Sequence, residues 1–283
     1  MTNLAVVEGS AAVESVQVDI WQAIRAEALL SVEQEPTLAS YLHAVILAHQ
    51  TLAGALADLL ASRLADSTVG ELAMCDLIGE ALTADEGIGL QCCRDLQAVV
   101  DRDPACRGYA PTMLFFKGFQ ALQCYRVSHH FWTQGRETLA LFLQSRIAQA
   151  FAVDIHPAAR VGSGILLDHA TGLVVGETAV VEDDVSMLHE VTLGGTGKER
   201  GDRHPKVRHG ALIGAGAKIL GNIEIGAGSR IGAGSVVLRS VPSGCTAAGV
   251  PARIVRGLRS DQPALDMNHQ FDSGDSWVPY WEI

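Results

Sequence analysis

From Asp154 to His269 the chain has no phenylalanine, tyrosine or tryptophan, although 11 of its 15 aromatic residues lie between Trp21 and Phe151. One architecture does not account for both halves. Long apolar runs are also missing: the longest, such as Ala44 to Ala48, fall far short of the ~20 residues that span a bilayer. Glu8 and Glu14, with no basic segment before them, do not resemble a secretion signal. Basic residues are few, 21 against 32 acids, and the net charge of −11 opposes binding to nucleic acid or an anionic membrane. A cytoplasmic protein with neither partner is expected. No C-x-x-C pair occurs among Cys75, Cys92, Cys93, Cys106, Cys124 and Cys245, so free thiols are expected rather than a disulfide frame.

What is present is enough to fold. At roughly 150 residues per domain, 283 residues predict about two domains, and 48% hydrophobic content excludes a disordered chain. Glycine mirrors the aromatics, with 19 of 29 between Val161 and Gly257.

The first half has helical periodicity. Leu38, Leu42, Val45, Ile46, Leu52, Ala53 and Leu56 trace one apolar stripe, with a start at Pro36-Thr37 and His49 on the same face as a hydrogen-bonded packing residue. Thr68 with Glu71 and Thr83 with Glu86 have the spacing of capping boxes. After Pro111 the run Leu114, Phe115, Gly118, Phe119, Leu122, Tyr125, Arg126 and Phe131 continues the period. An all-α domain over 1–153 follows, broken by the loop Asp101-Arg-Asp-Pro at Pro104.

The second half keeps a different beat. Aliphatic residues stand six apart at Ile155, Val161, Leu167, Leu173, Ala179, Val185 and Val191, then again at Val207, Ile213, Ile219, Ile225, Ile231 and Val237. A helix turns about 100° per residue and would scatter that period around its surface. Three hexads closing one triangular coil of about 18 residues would use it, each contributing a short strand and a turn. The narrow interior explains why no ring is tolerated. Val191 and Val207 are not a multiple of six apart, so residues 193–206 are expected to leave the coil as a loop, and its glycines, basic residues and histidine suggest function.

The strings Asp154-Ile-His-Pro, Leu167-Asp-His-Ala-Thr-Gly, Thr192-Leu-Gly-Gly-Thr-Gly-Lys, Gly201-Asp-Arg-His-Pro-Lys and Ala247-Ala-Gly-Val-Pro-Ala-Arg resemble the serine O-acetyltransferases, left-handed β-helix acyltransferases of cysteine biosynthesis. The resemblance implies an α+β chain: the helical domain, a left-handed parallel β-helix of hexapeptide repeats over 154–257, and a flexible tail over 258–283. It implies acetyl transfer from acetyl-CoA to L-serine by direct attack, with no permanently bound cofactor and no metal. A serine hydroxyl needs a base near neutrality, and His169 matches the family base with Asp154 as its partner. The two stand 15 residues apart, which puts them on neighbouring coils within reach of a hydrogen bond.

Asp103 and Asp168 match the partners of the serine ammonium, Arg203 and His204 those of its carboxylate, and Glu177 another active-site position. Gly195, Thr196, Gly197, Lys198, Ala215 and Arg230 match the groove for CoA, with Arg230 replacing a common lysine. The glycine string lacks the G-x-x-x-x-G-K-[ST] spacing, so nucleotide hydrolysis is not supported. The resemblance further implies a homotrimer, or a hexamer of two trimers, with sites in grooves between subunits. It also implies feedback inhibition by L-cysteine and binding of O-acetylserine sulfhydrylase through the terminal Ile283.

Three other readings compete: an acetyltransferase for sugars or antibiotics, a zinc hydratase using His156, His169, His189, His204 and His209, and a non-catalytic regulator of the sulfhydrylase. The helical domain and the Gly201-Asp-Arg-His-Pro string disfavour the first. No spacing forces three histidines together, and intact Asp154 and His169 argue against the third.

Overall fold

The computed structural model describes residues 4–197, 200–255 and 262–267, with side chains from residue 17 onward. Helix α1 (Leu4–Gln34) leads into a 3-10 turn (Pro36–Leu38), α2 (Ala39–Leu42) and a π-turn (His43–Leu47). Then come α3 (Leu52–Leu64), α4 (Glu71–Ala84), α5 (Glu86–Arg102), α6 (Tyr109–Phe115), α7 (Lys117–Thr133) and α8 (Glu137–Phe151).

The apolar stripe expected of one helix is therefore cut. Thr51, extended, caps α3 by accepting from Gly54 N at 3.2 Å, and the stripe resumes on a new axis. His49 lies with Nε2 3.1 Å from Asp58 Oδ2. Neither capping box forms: Gly70 precedes α4 without a side-chain cap, and at α5 the cap is Asp85, which accepts from Gly87 N. Thr68 instead donates its backbone N–H to Asp66, closing a turn that the helix does not need. All six cysteines are free thiols.

The coil follows without a linker. Its first turn is β1 (Val153–Ile155), β2 (Arg160–Val161) and β3 (Leu166–Leu167); its second is β4 (Leu173–Val175), β5 (Val180–Val181) and β6 (Ser186–Met187). The third is β7 (Thr192–Gly194), β8 (Lys206–Val207) and β9 (Leu212–Ile213), and the fourth β10 (Lys218–Leu220), β11 (Glu224–Ile225) and β12 (Arg230–Ile231). It ends with β13 (Val236–Val237), β14 (Thr246–Gly249) and an antiparallel β15 (Ala252–Val255). Parallel pairing stacks these into three sheets: β1-β4-β7-β10-β13, β2-β5-β8-β11, and β3-β6-β9-β12-β14 with β15 at its edge. A prism with three faces and three edges results.

The hexad beat holds, but its phase shifts. Val175 pairs with Leu193 and Ile213 with Ile231, 18 residues apart, whereas Leu167 pairs with Met187, 20 residues on. Two extra residues thus enter the turn Asp168–Gly172. Beyond them the strand residues facing inward are Val175, Val181, Met187 and Leu193, while Leu173, at the start of β4, and Ala179, Val185 and Val191, in the turns, are buried two places earlier. All eight are at most 2% exposed, so both phases are apolar and sequence cannot choose between them.

The two halves are clamped. Asp95, wholly buried, accepts from Arg126 Nη2 at 2.6 Å, Gln123 Nε2 at 2.9 Å and Ile165 N at 3.0 Å, while Arg126 reaches on to Gly162 O at 2.8 Å. A buried charge paired this fully is costly to break, about 3–5 kcal/mol when one partner is removed. Of the expected tail, Gln262–Met267 are described: α9 (Pro263–Asp266) docks with Ala264 buried and its carbonyl accepting from Ser186 Oγ at 2.9 Å. Lys198 and Ile283 lie outside the described residues.

Candidate active site

One edge of the prism runs between the β3-containing face and the β1-containing face. Its turns stack Asp168 and His169 over His189 and then Ala215, locked by Glu190 N to Thr171 O at 2.8 Å and Gly216 N to His189 O at 2.9 Å. The two extra residues of the first turn bend it outward. His169 and Ala170 take φ of 55° and 56°, a left-handed conformation costing roughly 1–2 kcal/mol per non-glycine residue.

Helix α7 braces this turn. Gly118 comes so close that a Cβ there would lie 2.0 Å from Leu167 O and 3.1 Å from Ala170 Cβ, and Lys117 Nζ donates to Phe151 O and Thr171 Oγ1. An isolated glycine inside the helical run was the available sequence signal for this close approach. The His169 side chain stands 76% exposed, with Nε2 3.9 Å from Asp168 Oδ1 and its ring edge-on to His189 at 5.9 Å.

Asp154 sits mid-strand in β1, on the face next to this edge. Its Oδ1 accepts from Gln144 Nε2 at 2.6 Å, and no hydrogen bond joins it to His169 among the described residues. The expected Asp154–His169 hydrogen bond is absent in the single chain, and the two residues do not lie on neighbouring coils. Asp154 is in β1 of the first turn and His169 in the corner that closes that same turn, while Gln144 from α8 takes Asp154 Oδ1. Asp103 caps the end of α5 and folds back on its own loop, accepting from Ala105 N at 2.8 Å.

The next edge, between the β1-containing and β2-containing faces, stacks His156, Glu177 with Thr178, the described loop residues 195–197 and 200–205, and Asn222. It is tightly cross-linked. Arg203 Nη2 pairs with Glu177 Oε2 at 2.6 Å, and this guanidinium holds the Glu177 carboxyl below the usual range. His204 is nearly buried, 7% exposed, and its Nδ1 accepts from Thr178 N at 3.1 Å. That acceptor role places the ring proton on Nε2. Burial, then the neighbouring Arg203 charge, lowers the His204 pKa, which favours the neutral imidazole. Burial also lowers that of His156. Gly176 is required here, since a Cβ would fall 2.1 Å from the His204 ring.

Gly195 and Thr196 lie along the same edge, beside Arg203 and against Gly221, and Gly197 turns with φ of 83°. Ala215 belongs to the His169 edge, and Arg230 to β12 on the third face. One chain therefore brings Asp168, His169 and Ala215 together, and separately Glu177, Arg203, His204, Gly195 and Thr196. Strands of three residues at ~3.3 Å each keep the two sets roughly 10 Å or more apart. The sequence reading missed Gln144, Thr178 and Gly118.

A groove of about 840 Å³ between α5, α7 and the β2-β5-β8 face is lined by none of the residues expected to bind serine or CoA; of the histidines named for a zinc site, His209 lines it. Among the described residues no group of three or more His, Cys, Asp or Glu could hold a metal ion, and no helix is long and apolar enough to cross a membrane. His156 and His204 share one edge, His169 and His189 another, and His209 lies on the third.

A prism of hexapeptide coils with solvent-open histidine turns, braced by a helical domain, defines the hexapeptide class of transferases. Residues 204–239 match the family model for the bacterial transferase hexapeptide (six repeats), and residues 20–124 that for the serine acetyltransferase N-terminal domain. The chain is 55% identical over 253 residues to the serine acetyltransferase of Salmonella typhimurium, covering 89% of this chain and 93% of the relative. It belongs to the serine acetyltransferase family.

Three solved relatives carry small molecules. A serine acetyltransferase in complex with cysteine is 55% identical, with a TM-score of 0.88 over 90% of this chain and 100% of that one. The soybean enzyme complexed with serine is 54% identical, with a TM-score of 0.83 over 85% and 99%. The Brucella abortus enzyme in complex with coenzyme A is 53% identical, with a TM-score of 0.82 over 83% and 94%.

Proposed function

We propose that the chain transfers the acetyl group of acetyl-CoA to the hydroxyl of L-serine, in grooves where the His169 edge of one copy faces the Arg203 edge of the next. The observation that carries this reading is the separation of the two residue sets onto adjacent prism edges. A three-fold arrangement of copies would bring each edge against the other kind.

In that groove Asp168, with Asp103 from the helical half, holds the serine ammonium. The carboxylate is met by the Nε2–H of His204 and by the outer face of Arg203, which Glu177 keeps in place. His169 takes the hydroxyl proton as the oxygen attacks the thioester carbonyl. Collapse of the tetrahedral adduct breaks the C–S bond, and the departing CoA thiolate recovers the proton from His169. Asp154 steadies the imidazolium with the oxygen that Gln144 does not use. The strained His169 turn suits this task, since it holds the ring out in solvent, open to an incoming substrate.

CoA lies along Gly195, Thr196, Gly197 and Lys198 of one copy and Ala215 of the other, with Arg230 offering a positive charge to a phosphate. L-cysteine presents the same ammonium and carboxylate as serine and would compete for Asp103, Asp168 and Arg203, in keeping with the cysteine-bound relative. Ile283 would dock the tail into O-acetylserine sulfhydrylase, and the protein would work in the cytoplasm as a trimer or hexamer. The direct test is thiol release from acetyl-CoA with serine against a panel of sugars and other amino acids. Release confined to serine supports the reading; release with another acceptor instead would sink it.

A further inference from the structure

We infer that Glu27, in the C-terminal third of α1, is a positioning residue for the loop that presents Asp103. The inference rests on the proposed reading of Asp103 as a partner of the serine ammonium.

The loop Asp103–Gly108 joins α5 to α6 and is held at both ends by groups from elsewhere in the molecule. At its start Arg102, 6% exposed, donates to Gly164 O at 2.9 Å and Ser186 Oγ at 3.2 Å and pairs with Asp184 at 3.1 Å. This end is riveted to the coil. At its finish the Glu27 carboxylate accepts from Tyr109 N at 3.3 Å and from Ala110 N at 2.7 Å. These are first-turn amides of α6 that have no partner within their own helix.

A second observation fixes the same pairing. Gly108 has φ of 142°, and a Cβ on it would sit 2.7 Å from both Glu27 carboxylate oxygens. The carboxylate occupies the space that any other residue at 108 would fill. Between the two anchors the loop closes on itself: Asp103 Oδ1 accepts from Ala105 N, Cys106 N donates to Asp103 O at 2.9 Å, and Thr112 Oγ1 donates to Gly108 O at 2.8 Å. With Arg102 fixed on the coil, the direction of Asp103 depends on where the far end of the loop is tied. Glu27 ties it.

The consequence is selective. Loss of Glu27 loosens the acceptor site and leaves the CoA groove, formed by other elements, as it was. Steady-state kinetics of the assembled full-length enzyme read this directly. Glu27→Ala is expected to raise the KM for serine about tenfold, the scale of one or two lost charge-assisted hydrogen bonds, with the KM for acetyl-CoA within about twofold. Glu27→Gln, which keeps one acceptor oxygen, should fall between this and the parent. Gly108→Ala, which displaces the carboxylate without removing it, should show the same split and serves if Glu27→Ala does not fold. Asp103→Ala should raise the serine KM by itself, and adding Glu27→Ala to it should change little more.

An unchanged serine KM in folded Glu27→Ala, with Asp103→Ala still impaired, overturns the positioning role. An equal rise in both KM values overturns it too, because a merely structural cap would act on both. If Asp103→Ala leaves serine KM unaltered, the reading of Asp103 fails instead.

Discussion

The two edges of the coil are built differently. The Arg203 edge is finished within one chain: Glu177 holds Arg203, Thr178 holds His204, and Gly176 admits the imidazole. The His169 edge is open, with a strained turn that thrusts its histidine into solvent and leaves Asp154 on Gln144. On the proposed reading, the binding determinants are preorganised by hydrogen bonds inside the subunit, whereas the imidazole proposed to act as base waits for a neighbouring surface. Preorganisation costs nothing at the moment of binding, and a base must stay unencumbered to move a proton.

The largest effect should come from the open edge. His169→Ala is expected to lower kcat about 10²–10⁴-fold, the contribution of a positioned base, while the protein keeps its assembly state. Thiol release with serine measures it, and near-parental turnover would remove His169 from the chemistry. On the finished edge Arg203→Ala should act mainly on binding, raising serine KM about ten- to hundredfold, as loss of a hydrogen bond to a charged group implies. A fall in kcat with KM unchanged would reverse the division between the edges.

Gly176→Ala probes the same edge without touching a charge. Its Cβ must push the His204 ring aside, so serine KM should rise several-fold while the acetyl-CoA KM holds. The smallest effect concerns pH. His204 and His156 have pKa values lowered by burial, so below the ordinary histidine value of 6.5 the unfolded chain takes up protons that the folded one refuses. Stability should therefore fall as pH drops below about 6.5. Thermal midpoints of the parent and His204→Asn between pH 8 and pH 5 should converge at the acid end, by roughly a degree or two. Parallel curves would mean that His204 carries no such penalty.

Much of this architecture is legible in the amino-acid order. Absent rings and a six-residue beat announce a narrow coil, since no other backbone uses that period. The phase shift at Asp168–Gly172 is hidden because both inward positions of each hexad are aliphatic, as with Leu173 and Val175 or Val191 and Leu193. In the helical half, Thr68 and Thr83 have the right spacing for caps, yet Asp66 and Asp85 hold the local amides with stronger acceptors. Site residues could be named from motifs, but their partners could not. Glu177 meets Arg203 across one coil plus an inserted loop, and Glu27 reaches Ala110 over 83 positions, distances that only the fold closes.

The central claim is that each working site takes its histidine from one copy and its arginine from another. Co-expression of His169→Ala chains with Arg203→Ala chains, each nearly inactive alone, tests it most directly. Random mixing in a ring leaves about one groove in four with both parental residues, so the purified mixed assembly should recover about a quarter of parental thiol release at low serine. Activity no higher than the sum of the two separate variants would contradict the account and place the whole site within a single chain.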